Sequence, residues 1–388
     1  MFFKALWIIV KYLNQRVCQR KSDIIGGLTI KTFRICCDKF ETGLKMNLKE
    51  FSSKIGLSPT TVSRALNGYP EVSERTRAKV MEAARRHRYT PNSGAARLAT
   101  GKSMTIGHIL PLSSEHEMVN PIFADFIAGA GETYSAAGYD LSLSVVRDED
   151  EVEVYRTLTQ RGTVDGVVVH GPKVNDHRIR LLQELGLPFV VHGRSSEVRE
   201  DYNWIDVNNR HAFERATDLL LDLGHRSIAL LNGLQTMDFA TRRLAGYRAA
   251  LTARGVDYDE SLVTDGEMTE TYGHAHATRL LGAANPPTAL LVSSIIPAIG
   301  VRRAIHDLGL TMGRDVSVVI HDDDLSYFRN GGDVPIFTAT RSSVRDAGRR
   351  CAVMLLDAIG GRASGPETVL LEAELTIGQS TGPASETR

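Results

Sequence analysis

Cysteine is scarce. The 388 residues hold four, and Cys18, Cys36 and Cys37 all fall near the start, leaving Cys351 alone in the body. That count excludes a disulfide framework, and the single body cysteine fits a reducing, cytoplasmic setting. Long apolar runs are also missing. The apolar stretch at residues 5–10 is flanked by Lys4 and Lys11, and a bilayer span needs roughly 20 such residues. No convincing small-residue cleavage site follows it, which argues against a signal peptide. No membrane partner is therefore expected. The body of the chain lacks GxSxG, GxxxxGK[ST] and a GxGxxG at a strand-to-helix turn. Those absences speak against the common hydrolase, P-loop and dinucleotide-binding chemistries. Nor is there an HExxH or paired-cysteine spacing for zinc. No catalytic residue, metal or cofactor is expected.

Net charge is missing as well, with 46 basic and 46 acidic residues. The balance hides a split. Residues 46–105 hold 11 Lys and Arg against 4 Asp and Glu, and residues 1–45 hold 9 against 3, so everything after 105 is strongly acidic. A basic head suits phosphate binding, and an acidic body stays off nucleic acid.

The head carries a pattern. Leu48, Phe51 and Ile55 recur at helical spacing, Gly56 stops the helix, and Ser58-Pro59 starts another. In the second segment Val62, Ala65 and Leu66 form an apolar face and Thr60, Thr61, Ser63 and Arg64 a polar one. Ser73 is a good cap for a third helix through Val80, Ala83 and Ala84. Two short helices joined by a glycine turn read as a helix-turn-helix, whose second helix enters the major groove. A plain three-helix bundle is the competing reading, but a short polar second helix is a poor packing element.

From Met104 apolar strand-like runs alternate with helical segments, among them TIGHIL, GVVVH, PFVVH, IALLN and SVVIH. Near-continuous apolar runs indicate parallel strands covered on both faces, hence a doubly wound α/β fold. About 280 residues exceed one such unit, so two lobes are expected. The first spans about 104–206 and the second runs to about 333, after which the chain recrosses. Ligands in such sheets sit beyond the carboxyl ends of strands. Three runs end in histidine, at His170, His192 and His321, and Asp322 follows directly. These could be core residues or metal ligands, and the run Asp322-Asp323-Asp324 is acidic enough for magnesium. His225 reads as structural, and His274 and His276 as a solvated helix face.

The segments 58–68 (SPTTVSRALNG), 71–80 (EVSERTRAKV) and 89–92 (YTPN) resemble the LacI/GalR family of bacterial transcription regulators, and the likeness extends over 46–383. The resemblance implies a division into a helix-turn-helix domain at 46–92, a hinge helix at 93–103, a two-lobed periplasmic-binding-protein-like core at 104–383 and a tail at 384–388. It implies base reading at the positions of Pro59, Thr60 and Arg64. Pro59 has no side-chain donor, so specificity falls on Thr60, Arg64 and Thr61. An arginine can bond a guanine edge bidentately, discriminating by roughly 1–3 kcal/mol. Ser58, Thr61, Ser63, Asn67 and Tyr69 read as phosphate contacts. In the hinge, Leu98 matches a minor-groove wedge and Arg97 could reach the backbone. In the core the resemblance places ligand-hydroxyl contacts at Asp322 and Arg243, with His170, His192, Met268 and Ser294 lining the pocket. An Asp–Arg pair with neutral hydrogen-bonding groups suits a polyhydroxylated sugar.

The chain departs from the family at Ser293-Ser294, where an Asn-Asp pair is common, so the contact there differs. The whole is most similar to the subset that responds to α-glucosides. The expectation is a cytoplasmic homodimeric repressor on a palindromic double-stranded operator, relieved by a sugar. The alternatives are a sugar-binding protein or α/β enzyme without a DNA role, and a phosphosugar or nucleobase acting as co-repressor. Residues 1–45 differ in composition from the remainder and are expected to be a non-native or disordered extension, with Met46 the true start. An amphipathic arm is the other reading.

Overall fold

The computed structural model describes residues 46–66, 68–89, 101–111 and 120–384. Residues 1–45, Asn67, the hinge positions Arg97 and Leu98, and the last four residues lie outside them. The chain divides into two compact units, one ending and the next beginning at residues 96–97.

Among its described residues the first unit holds three helices, α1 (Leu48–Ile55), α2 (Pro59–Leu66) and α3 (Glu74–His87). Each start is chemically marked. The Asn47 side chain accepts from Glu50 N–H while the Glu50 carboxylate accepts from Asn47 N–H, a reciprocal capping box. Gly56 ends α1 at φ 69°, a conformation that favours glycine. Ser58 Oγ accepts from Thr61 N–H and Ser73 Oγ from Thr76 N–H, capping α2 and α3. Phe51, Val62, Ala65 and Val80 form the core, and the Phe51 ring stacks on Tyr89 with centroids 4.2 Å apart.

The second unit is two doubly wound lobes. The first sheet contains β1 (Thr105–Pro111), β2 (Asp140–Val146), β3 (Gly166–His170), β4 (Phe189–His192), β5 (Trp204–Val207) and β11 (Thr368–Leu371). Its order is β11-β5-β4-β3-β1-β2, all parallel. The second contains β6 (Ile228–Gly233), β7 (Val263–Gly266), β8 (Ala289–Val292), β9 (Ser317–Asp322), β10 (Thr338–Arg341) and β12 (Glu374–Thr376). Its order is β12-β10-β9-β8-β6-β7, with only β12 antiparallel. The expected α/β class and the two lobes are both present.

Helices cover both faces of each sheet. α4 (Pro121–Ala136), α5 (Glu151–Arg161) and α6 (His177–Leu185) serve the first. α7 (Asn209–Asp222), α8 (Asp238–Ala253), α9 (Glu270–Leu281) and α10 (Ile295–Asp307) serve the second. Strands β3, β6, β8 and β9 are buried along their whole length, as apolar runs between two helical layers must be.

The chain crosses between lobes three times: from β5 into α7, from β10 into α11 (Val344–Ile359), and from β11 into β12. α11 packs on β3, β4 and β5. The return therefore comes after Arg341, later than the expected position near residue 333, because β10 completes the second sheet first. His225 is structural as read: its ring nitrogens lie 2.9 Å from the Thr288 and Ser317 hydroxyls. Among the described residues no helix is long and apolar enough to cross a membrane.

Candidate functional site

Two surfaces answer to the sequence expectations. On the first unit, α2 buries Val62 and Ala65, while Ser58, Pro59, Thr60 and Arg64 are exposed. Thr61, Ser63 and Tyr69 are half-buried beside them. The exposed stripe follows from a 3.6-residue period with only two fully buried positions in eight. Arg77 donates to the Tyr69 carbonyl at 3.0 Å and holds the turn that leaves α2.

In the second unit, a cavity of about 370 Å³ opens between the lobes at the carboxyl ends of the strands. The first lobe contributes His170 and His192, which end neighbouring strands in register. Phe126 of α4 stacks on His192 at 4.2 Å, and both Phe123 and Phe126 meet His170 edge-on at 5.0 Å. Burial lowers the pKa of His170 well below the usual histidine value and that of His192 to about 4, so both rings are neutral near pH 7.

The second lobe contributes Arg243, Met268, Ser293, His321 and Asp323. Arg243 is 6% exposed, and its guanidinium is sandwiched between the rings of Phe213 and Phe239 at 4.9 and 4.8 Å. Its Nε donates to Asn209 Oδ1 at 2.8 Å and its Nη1 to the Ser293 carbonyl at 2.6 Å. Nη2 bonds to no described residue and is left for the cavity. Burial lowers the Arg243 pKa to about 10, with Asp323 and Asp206 opposing, so it stays charged. Asp323 complements it. Burial raises its pKa to about 7 against the pull of Arg243, and Oδ2 is a buried acceptor with no described partner. A buried, unsatisfied acceptor lining a cavity is a place for a ligand donor.

Of the residues expected around a ligand, His170, His192, Arg243 and Met268 do line this cavity. Asp322 and Ser294 are placed differently. Asp322 Oδ1 accepts from Asp324 N–H at 2.9 Å, and its carboxylate turns toward Asn330 and Arg341. Asp323 carries the carboxylate into the cavity instead. Ser294 is fully buried, caps α10 and lies beside the Asp323 carboxylate, whose pKa it lowers. Side chains alternate along a strand, and His321 faces the cavity, so Asp323 two positions on shares its side. Asp206 and Asn209, at the first crossover, also line the cavity; nothing local in the sequence marks them. Among the described residues no group of three side chains is arranged to hold a metal ion.

The comparisons with known proteins agree with both surfaces. Residues 47–92 match the model of the bacterial regulatory proteins of the lacI family, and 217–381 that of the periplasmic binding protein-like domain. The HTH-type transcriptional regulator AglR of Rhizobium meliloti (strain 1021) is 43% identical over 344 residues, 88% of this chain and 96% of that protein. CelR of Thermobifida fusca is 31% identical over 86% of this chain and 97% of its own. A solved CelR–cellobiose complex superposes with a TM-score of 0.64 at 30% identity, covering 86% of this chain and 99% of that one. The lac repressor dimer bound to operator and the anti-inducer ONPF gives 0.73 at 26% identity, covering 87% and 99%. The chain therefore belongs to the LacI family of bacterial regulators, and it is a helix-turn-helix transcriptional regulator rather than an enzyme.

Proposed function

We propose that this regulator is a homodimeric repressor that reads a palindromic operator with α2 and is released by a sugar of the α-glucoside class bound between its lobes. One observation carries the sugar: Arg243 Nη2 and Asp323 Oδ2, a charged donor and a buried acceptor, both lack described protein partners at one cavity. A polyol supplies acceptor and donor together, because each hydroxyl does both. The neutral histidines add polar contacts without charge, and the Phe123 and Phe126 rings back them. The cellobiose in the CelR complex, a β-linked disaccharide, supports a sugar effector but not its linkage. A phosphorylated effector fits less well, since the arginines lining the cavity are already matched by carboxyl groups, Arg194 by Asp206 at 2.8 Å and Arg243 by Asp323.

On the operator side, exposed Thr60 and Arg64 read bases, and Ser58, Thr61, Ser63 and Tyr69 contact phosphates. Asn67, Arg97 and Leu98 keep their expected roles as part of this proposal. A short helix-turn-helix binds weakly alone, so two copies on two half-sites supply the affinity. The sugar acts only through its different affinity for the operator-bound and released states.

Fluorescence anisotropy of the full chain on the duplex upstream of its own gene tests this, with α- and β-linked disaccharides and a phosphosugar titrated in. The expected result is salt-sensitive binding reversed by an α-glucoside. Arg64→Ala should weaken binding by about 1–3 kcal/mol and relax base preference at one position per half-site. Reversal by the phosphosugar alone, or a monomer that binds as tightly as the whole, would overturn the reading.

A further inference from the structure

One more histidine stands behind His170, outside the cavity that His170, His192 and His321 line. His108 of β1 is fully buried and does not reach the cavity. β1 pairs with β3 with His108 opposite Val168, so His170 lies two residues further on, on the same face. The ring nitrogens His108 Nδ1 and His170 Nε2 are 2.9 Å apart. His170 is immobilised around this contact. Its ring meets Phe123 and Phe126 edge-on, and its carbonyl accepts from Arg178 Nη2 at 3.0 Å. The other nitrogen of His108, Nε2, is buried with no partner. The other nitrogen of His170, Nδ1, bonds to no described residue, and this residue lines the cavity.

Two neutral rings can share this hydrogen bond in only two ways. If His170 donates from Nε2, then His108 must carry its proton on Nε2, leaving an N–H buried without an acceptor. If His108 donates from Nδ1, its Nε2 is a bare acceptor and the His170 proton sits on Nδ1. Orphaned buried N–H groups are rarer than under-satisfied acceptors, and the hydrogen bond at one imidazole nitrogen dictates the protonation of the other. Burial lowers the pKa of both rings, that of His108 to about 3, so neither is an imidazolium.

We propose that His108 is a positioning residue that sets the tautomer of His170, so that His170 presents a fixed Nδ1–H donor to the effector. The group recognised is an acceptor oxygen: a hydroxyl lone pair, or a ring or glycosidic oxygen. Arg243 likewise donates, Asp323 accepts, and together the three impose a direction on the ligand's hydroxyls. The proposal rests on the cavity being the effector site.

The test reads the tautomer directly. Full-length protein labelled with 15N-histidine is studied without sugar by long-range 1H–15N correlation, and His170→Gln assigns the His170 signals. The expected spectrum shows the proton on Nδ1 of His170 and on Nδ1 of His108. A proton on Nε2 of His170 overturns the proposal, whether or not any sugar binds. Maltose affinity by calorimetry then separates positioning from bulk. His108→Asn keeps a donor at the same distance from Cβ and should bind within about threefold of the unaltered protein, while His108→Leu should lose about tenfold, the worth of one hydrogen bond. Operator affinity without sugar should not change in either. Unchanged maltose affinity in His108→Leu also overturns the proposal. If maltose binds neither variant nor the unaltered protein, the effector assignment fails, and the spectrum still decides the tautomer.

Discussion

Asp323 shows how burial alone makes a side chain pH-sensitive. Its carboxyl has lost water without gaining a full partner, so its pKa rises to about 7 from the ordinary carboxylate range. Between the unfolded value near 4 and the folded value of about 7, the folded chain holds a proton that the unfolded chain has released. Stability from this group therefore falls as pH rises through that window and levels off above it. Asp323→Asn should flatten that slope in thermal unfolding curves of the effector domain. A sugar hydroxyl donating to Oδ2 favours the charged form, so sugar affinity should rise with pH through about 7 in the unaltered protein. In Asp323→Asn that dependence should vanish and affinity fall about tenfold or more, since a charge-assisted bond is worth about 1.5–3 kcal/mol. A pH-independent affinity in the unaltered protein would place the hydroxyl elsewhere. The Asp322–Asp323 exchange belongs to this scale too. Three consecutive aspartates are indistinguishable by composition, and only strand alternation beyond β9 separates the one facing the cavity from its neighbours.

At the scale of elements, the helix-turn-helix is held by few side chains. Phe51 is fully buried in the core the three helices share and stacks on Tyr89. Phe51→Ala should cost about 3–5 kcal/mol, which a unit this small does not have to spare. Operator binding should disappear at 25 °C or thereabouts, while maltose binding and the main thermal transition persist. Loss of both together would mean that the two units do not fold independently. The helices were legible because their signals are local: Gly56, Ser58, Pro59 and Ser73 each sit at the boundary they predict. Strands β3, β4, β6, β8 and β9 were legible for the same reason, each as a continuous apolar run. β5, β7, β10, β11 and β12 were not. They are three or four residues each and mix polar with apolar side chains, so neither a run nor a period registers, and their existence depends on partners far away in sequence.

On the scale of the effector domain, the lobes are joined by more than their three crossovers. Asp238, at the start of α8 in the second lobe, is 1% exposed and accepts from the backbone N–H of Ser196 in the first at 2.8 Å. It also pairs with the Ser196 hydroxyl and with Arg242. Nearby, Asp238 N–H donates to the Pro172 carbonyl and Val174 N–H to Thr236. A second pair lies elsewhere: Asp125 of α4 accepts from the N–H and hydroxyl of Ser326, each at 2.6 Å. These bonds favour the lobe arrangement described, so they bias any equilibrium between it and a more open form. Asp238→Ala should shift it toward an open form by about 2 kcal/mol. Small-angle scattering should show a larger effector domain without sugar and a normal one with it, and sugar affinity should weaken in proportion. Identical scattering in both states would remove Asp238 from the closing contacts.

The amino-acid sequence by itself determined the helix-turn-helix, its exposed reading face, the doubly wound class and the general place of the cavity. Each is written in local currency: caps, glycine stops, a 3.6-residue stripe, or an apolar run ending in a polar residue. The tertiary structure alone decided which aspartate enters the cavity, that Ser294 lies beside it, and that His108 stands behind His170. It also decided that the lobes latch through Asp238 and Ser196, 42 positions apart. Those facts depend on which strand neighbours which and on which groups burial strips of water. Pairing across the sheet and desolvation are properties of the assembled layers, and no short stretch of chain contains them.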